Sequence, residues 1–166
     1  DAYKGAHQDP LIGLGTAPLD DSWFRSAVFK QLGNDELEAA VTTDIAGTKN
    51  AHAVRLDTDT SSEAIRRARL HRKVATAIFF ESNGGQHRGE ATLPEVRLAV
   101  GEPAIDIGHV EQCLESLTEV CYFLIAEKNR YRFSFPANLN MMLADRRASV
   151  SPAAILERVR ADIQKV

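Results

Sequence analysis

The chain contains few cysteines and no long apolar run, and each of these absences excludes a class of protein. Its 166 residues include two cysteines, Cys113 and Cys121, whose separation matches neither a metal-ligand pair nor a disulfide framework. We predict two reduced, packed thiols, because a buried free cysteine behaves as a small hydrophobic side chain. No apolar run approaches the roughly 20 residues that a membrane-spanning helix requires.

The chain also has few methionines and little net charge. Its two methionines, Met141 and Met142, lie late in the sequence, and residues 1–5 contain neither an initiator methionine nor an apolar signal core. We therefore expect a segment cut from a longer cytoplasmic protein, with no membrane partner. The net charge of −3 argues against a protein that coats nucleic acid, but it leaves room for one local basic surface.

Motifs for nucleotide binding and catalysis are missing as well. The nearest glycine-rich run, at 11–15, is not a Gly-x-x-x-x-Gly-Lys-Ser/Thr loop and has no strand–turn–helix context. No Gly-x-Ser-x-Gly nucleophile elbow is present. The histidines form no pair with ligand spacing, and Cys113, four residues after His109, is needed on the core side of its helix. The sequence predicts no catalytic centre, metal site or cofactor in this chain.

Residues 1–60 are predicted to form a helical lead-in segment. A helix at about 23–32 is expected because Asp21 and Ser22 can cap its start and Gly33 can end it. Asn34 can cap a second helix, which ends at Gly47. Residues 48–59 are expected to form a loop with a short strand at about 53–56.

The longest helix is predicted at about 62–81, and it carries a cluster of positive charge. At 100° per residue its apolar side chains fall on one broad side. Four cationic residues gather on the other side and form what we call the basic stripe: Arg66, Arg69, Arg72 and Lys73. The stripe is a candidate contact for phosphate or nucleic acid. Arg88, in the glycine-rich segment 83–89, is a further candidate, although a simple connection between two helices explains that segment equally well.

The rest of the chain is predicted to contain short helices and one hairpin. Pro94 can occupy the first position of a helix that closes at Gly101, and apolar residues at i, i+3, i+4, i+7 and i+10 indicate an amphipathic helix over 110–120. Two strands, at about 121–126 and 130–135, flank a short turn. Helices at about 138–147 and 152–165 complete the chain. Three cationic residues of the hairpin are candidate phosphate contacts: Lys128, Arg130 and Arg132.

This order of elements is typical of a winged helix-turn-helix. We therefore predict an α+β, mostly helical fold, with a winged-helix domain at 61–148 and a C-terminal helix at 149–166. A generic α+β domain with one hairpin is the alternative. In a winged helix that reads DNA, the third helix enters the major groove. Here Glu111, Glu115 and Glu119 form an acidic ridge along that helix, which would repel phosphate, so any DNA contact is expected at the hairpin or the basic stripe.

Several segments together resemble the C-terminal half of large prokaryotic AAA-type P-loop ATPases. The resemblance rests on RLHRKVATAIFFES at 69–82, VRLAVGEP at 96–103, CYFL at 121–124, NRYRF at 129–133, PANLN at 136–140 and LADRR at 143–147. Proteins of this family are usually described as ATP-binding proteins with a region of unknown function, and some are associated with phage resistance. The similarity extends from about residue 11 to residue 163.

The resemblance implies a winged-helix segment that follows an ATPase core. The ATP-binding motifs of the family would lie N-terminal to this region, so ATP and Mg²⁺ belong to the parent protein and no catalytic residue is carried over. The first hypothesis is an accessory region that couples nucleotide turnover to a partner, which could be its own ATPase core, a neighbouring subunit or DNA. The alternative is a non-enzymatic protein-interaction module with no nucleic-acid role.

Overall fold

The computed structural model describes residues 12–83, 89–103 and 105–164 as a mostly helical α+β fold with one small sheet. The elements are α1 Ser22–Leu32, α2 Leu37–Ala40, α3 His52–Asp59, α4 Glu63–Ala68, α5 Leu70–Asn83, β1 Ala91–Thr92, α6 Leu93–Val100, α7 Ile107–Val120, β2 Leu124–Glu127, β3 Arg130–Phe133, α8 Leu139–Ser149 and α9 Pro152–Ile163. A 3-10 turn, Leu14–Thr16, precedes α1, and α2 continues into a π-helical turn, Val41–Ile45. The predicted α+β class is confirmed. None of the described helices combines the length and apolar character needed to cross a bilayer.

Helix ends that carry a strong capping signal lie where the sequence predicts them. The Asp21 carboxylate accepts the backbone N–H of Phe24 at 2.7 Å at the start of α1, and Gly33 ends the helix with a left-handed φ of 67°. At the start of α6, the Glu95 carboxylate accepts the Thr92 N–H at 2.9 Å. Caps satisfy backbone groups that the helix itself leaves without partners, so they locate these helix ends well.

The segment predicted as a loop with a strand at 53–56 is instead helix α3. Its residues follow a helical period, since Ala53 and Asp57 are buried and Leu56 is half-buried on the same side. This period is hard to detect in the sequence because five of the eight residues are polar, including the buried Asp57. Packing of α3 against α5 stabilises the helical conformation of this segment.

The long helix predicted at 62–81 is two helices, α4 and α5. Arg69 separates them in the left-handed region, with φ 53° and ψ 48°. The break frees the first N–H groups of α5, and the Asp57 carboxylate accepts those of His71 and Arg72 at 2.9 and 3.1 Å. The sequence shows neither the left-handed residue nor this remote cap, which explains the error.

Helix α5 lies at the centre of the core, with the 3-10 turn, α3, α6, α7 and β3 packed around it. Nearly all of it is buried, including Leu70 and Phe79, and burial of a side chain of this size contributes about 2 kcal/mol. A Cβ at Gly15 would lie 2.9 Å from the Lys73 carbonyl oxygen, so glycine allows the 3-10 turn to contact α5 directly. Apolar side chains from the first part of the chain, such as Leu19, belong to the same core.

The sheet has the strand order β1–β3–β2, and both pairs are antiparallel. Strands β2 and β3 form a hairpin in which Leu124 lies opposite Phe133. The turn residues Lys128 and Asn129 have φ values of 49° and 63°, as a two-residue turn between twisted strands requires. The predicted hairpin is confirmed with shorter strands. The two-residue strand β1, which was not predicted, pairs with β3 through Ala91 and Tyr131.

Candidate functional site

The basic stripe is not one continuous surface, because two of its four members are drawn into the fold. Lys73 is buried, and its ammonium group pairs with the carboxylate of Glu102. Arg72 is half-buried, and its Nη1 donates to the Asp20 carboxylate at 3.2 Å. Breaking a buried ion pair costs about 3–5 kcal/mol, so Lys73 cannot serve as an exposed phosphate contact. This part of the prediction is corrected.

The other two members of the basic stripe lie at the surface on different elements. Arg66, in α4, pairs with Glu63 one turn earlier, whereas Arg69 occupies the left-handed position between α4 and α5. Because the helix is interrupted at Arg69, the four residues do not line one face. Arg88, the candidate in the glycine-rich segment, lies outside the described residues.

The hairpin keeps its three cationic side chains exposed. Arg130 donates to the Glu90 carboxylate at 3.2 Å. Lys128 and Arg132 form no ion pair within residues 12–83, 89–103 and 105–164. Both side chains are therefore open to a polyanion.

The outer face of α7 is acidic in the structure, as in the sequence. Glu111, Glu115 and Glu119 are exposed, and Glu111 pairs with Arg97 of α6. A groove of about 540 Å³ separates α7 from the hairpin, and Glu127 joins Glu111 and Glu115 along its walls. These three carboxylates outnumber the one cation of the lining, Lys128, and oppose the approach of a phosphate backbone to this groove.

The two C-terminal helices, α8 and α9, contain no buried residue. Their large apolar side chains are instead exposed by about half or more: Leu139 72%, Leu143 50%, Ile155 51%, Leu156 58%, Val159 48% and Ile163 68%. In α9 the four apolar residues fall on one face, with spacings of one, four and eight residues from Ile155. Exposed apolar surface of this extent is uncommon on a globular domain and is typical of interaction sites.

A small polar pocket of about 180 Å³ lies between α3, the end of α7 and α8. His52, Arg55, Asp59, Tyr122 and Asp145 contribute to its lining. The Tyr122 hydroxyl donates to the Asp145 carboxylate. That hydrogen bond, followed by burial, raises the pKa of Tyr122, so the pocket contains a neutral phenol beside a carboxylate.

The Asp44 carboxylate is fully buried beneath this pocket and holds His52 in place. Its Oδ1 accepts the backbone N–H of Tyr122 at 3.1 Å and lies 2.8 Å from Nδ1 of His52, and its Oδ2 accepts the N–H of Phe123 at 2.7 Å. The His52 ring packs edge-on against the Tyr122 ring at 4.5 Å. These contacts fix the orientation of an imidazole that borders the pocket.

A second carboxylate–imidazole pair, Asp57 and His71, lies deeper in the fold. The His71 Nδ1 is 2.9 Å from the Asp57 Oδ1, and both side chains are almost completely buried. Unlike His52, His71 does not border the polar pocket. Its pairing with Asp57 is explained by the capping of α5.

Both cysteines are buried free thiols, as predicted. Burial, and to a lesser extent the charge of Asp57, raises the pKa of Cys113 to about 12. Burial, followed by the charge of Asp44, raises the pKa of Cys121 well above its ordinary value. Thiols in such surroundings are poor nucleophiles, since the thiolate is the reactive form.

The fold brings three metal-ligating residues together that the sequence does not indicate. One ligand atom each from Asp44, His52 and Cys121 lies within 4.8 Å of the other two. The residues come from the π-helical turn, the first position of α3 and the residue after α7. They share no local spacing, so only the tertiary arrangement reveals the group.

Comparison of the chain with protein-family models, with curated proteins and with solved structures finds no match in any of the three.

Proposed function

We propose that this chain is a winged-helix accessory region of an AAA-type ATPase and that it works by docking on protein. The order α5, β1, α6, α7, β2, β3 and the strand order β1–β3–β2 support the winged helix. In that fold the short strand between the first two helices pairs with the last strand of the hairpin. The resemblance of 69–147 to the C-terminal half of such ATPases supports the parent class.

The observation that carries the docking role is the apolar surface of α8 and α9. Four large apolar side chains on one face of α9, together with Leu139 and Leu143 of α8, are exposed by about half or more. Burial of such a side chain from full exposure contributes about 1.5–3 kcal/mol. These side chains are already partly covered, so a partner gains roughly half of that amount at each of them. We assign that partner to the ATPase core of the same polypeptide or of a neighbouring subunit.

DNA binding is the second candidate function, and the exposed residues Lys128 and Arg132 are what favour it. Two other features of the structure argue against DNA binding. Lys73 is buried in an ion pair, and the groove beside α7 has carboxylates on both walls. Two exposed cations on a hairpin support weak, salt-sensitive contact rather than sequence-specific recognition.

Hydrogen–deuterium exchange in the longer polypeptide, with a P-loop core ahead of this region, tests the docking proposal. In the isolated chain, amides of α9 should exchange fast, because a 12-residue helix that buries none of its residues is marginally stable in water. In the longer polypeptide we expect them to be protected. The double substitution Leu156→Glu/Val159→Glu should remove this protection.

The matched control is Ala161→Glu, which adds a charge to the opposite, polar face of α9. This variant should keep the protection seen in the unmodified polypeptide. Equal exchange of α9 amides in the isolated chain and in the longer polypeptide would contradict the proposal.

Fluorescence anisotropy with a labelled DNA duplex at two salt concentrations separates the two functions. Lys128→Glu/Arg132→Glu is compared with Arg158→Glu/Arg160→Glu, which makes the same change of net charge on α9. A docking module should bind the duplex weakly, and the two variants should behave alike. Steep salt dependence that only the hairpin variant abolishes would instead establish DNA contact.

A further inference from the structure

We propose that Asp44, His52 and Cys121 form a binding site for a divalent zinc-type metal ion. The three residues reach one point from three separate elements, and their ligand atoms already lie within 4.8 Å of one another. In a tetrahedral site with bonds of about 2.0–2.3 Å, neighbouring ligand atoms lie about 3.3–3.7 Å apart. Side-chain shifts of about 0.5–1 Å therefore convert the observed arrangement into a coordinating one.

The donor set selects the class of metal. One carboxylate oxygen, one imidazole nitrogen and one thiol sulfur make a mixed set that suits Zn²⁺ and its spectroscopic substitute Co²⁺. Mg²⁺ and Ca²⁺ prefer sites made of oxygen atoms, so they should bind to these three residues poorly. Three protein ligands leave a fourth position, and one of the three, His52, borders the polar pocket.

The surroundings of Asp44 resemble the outer shell of a metal site. Backbone N–H groups of Tyr122 and Phe123 each donate to one of its oxygens, at 3.1 and 2.7 Å. A carboxylate oxygen has two acceptor positions, so Oδ2 can coordinate a metal while it keeps the hydrogen bond from Phe123. Hydrogen bonds of this kind orient a ligand and are common around bound metals.

The pair formed by Asp57 and His71 provides an internal comparison. It has the same two residue types at a similar Nδ1–Oδ1 distance, 2.9 Å against 2.8 Å. A cysteine, Cys113, lies close enough for the charge of Asp57 to raise its pKa. Within the described part of the chain, however, these three residues do not form a ligand group. We therefore expect a metal ion to bind to the group of Asp44, His52 and Cys121 and not to the group that contains Asp57 and His71.

Titration of the purified chain with Co²⁺ tests the proposal directly. We expect one equivalent to bind and to produce a thiolate-to-cobalt absorption band, which Zn²⁺ then abolishes by displacement. Cys121→Ala should remove the band, and His52→Gln should weaken Co²⁺ binding by at least about tenfold, the usual cost of losing a metal ligand or its support. The matched variants Cys113→Ala and His71→Gln should bind as the unmodified chain does.

Two results would overturn the proposal: absence of the absorption band, or a band that depends on Cys113 and not on Cys121. Circular dichroism on each variant establishes that it is folded. X-ray absorption at the zinc edge of the unmodified, zinc-loaded chain needs no variant. It should show one sulfur at about 2.3 Å, and a zinc shell without sulfur would show that Asp44 and His52 form a hydrogen-bonded pair only.

Discussion

At the scale of single residues, Asp57 shows how one carboxylate can join distant parts of this fold. It lies in α3 and accepts the backbone N–H groups of His71 and Arg72 as well as the imidazole of His71. We predict that Asp57→Ala lowers the free energy of unfolding by about 2–4 kcal/mol, because it leaves buried donors without partners. Urea denaturation measures this loss.

Asp59, two residues later in the same helix, provides the control. It is exposed, so Asp59→Ala should change the free energy of unfolding by less than about 0.5 kcal/mol. Equal effects of the two substitutions would show that the contacts of Asp57 do not stabilise the fold.

The thiol of Cys113 leads to a prediction about pH. Burial holds its pKa at about 12, so at pH 8 only about one molecule in ten thousand carries the reactive thiolate. A raised pKa means that the folded state favours the neutral thiol. The resulting stabilisation is present below the ordinary thiol pKa and is lost as the pH rises toward about 12.

We therefore expect Cys113 to resist a thiol-specific reagent at pH 8 in the native protein and to react fully in guanidinium chloride. Mass spectrometry of peptides from the labelled protein assigns the reaction to Cys113. Labelling of native Cys113 at the rate of a free peptide thiol would show that this side chain is accessible.

At the scale of helices and strands, Arg69 determines whether 62–81 is one helix or two. A non-glycine residue in the left-handed region is strained by roughly 1 kcal/mol, and glycine removes that strain. Arg69→Gly and Arg69→Ala both delete the side chain and its contacts. We predict that the glycine variant is more stable than the alanine variant by about 1 kcal/mol in urea denaturation. In an uninterrupted helix the order would be reversed, because alanine is favoured over glycine by about the same amount.

The elements that could be predicted are those whose signals are local. Asp21 and Gly33 mark the ends of α1, and the spacing of apolar residues marks α7, since both signals depend on neighbours within a few residues. Helix α3, strand β1 and the break at Arg69 depend on contacts with distant residues. The sequence cannot reveal them, because their stabilising partners lie elsewhere in the chain.

The same distinction explains the candidate sites. The sequence places Lys73 on the charged side of a continuous helix, but the break before α5 and the acidic partner Glu102 bring it into the core. Asp44, His52 and Cys121 are separated in sequence and meet only in the folded chain. By contrast, the acidic ridge of α7 and the exposed cations of the hairpin were predicted, because a surface charge on a regular element needs only the local period.

At the scale of the whole molecule, the hydrophobic core and helix α9 are separate. Buried side chains from Leu19 to Phe133 form one hydrophobic cluster, and no residue of α9 contributes to it. Stability should therefore reside in residues up to the hairpin. Binding of a partner should depend on the segment that follows.

Removal of α9 by a stop after Val150 tests this division. We predict that the melting temperature of the isolated chain changes by less than about 2 °C, because no apolar surface of the core becomes exposed. A stop after Glu127 removes β3 and the buried residue Phe133, so this variant should lose its cooperative transition. Circular dichroism at increasing temperature measures both. A large loss of stability on removing α9 alone would mean that this helix packs on its own domain, and its apolar face would then be unavailable to a partner.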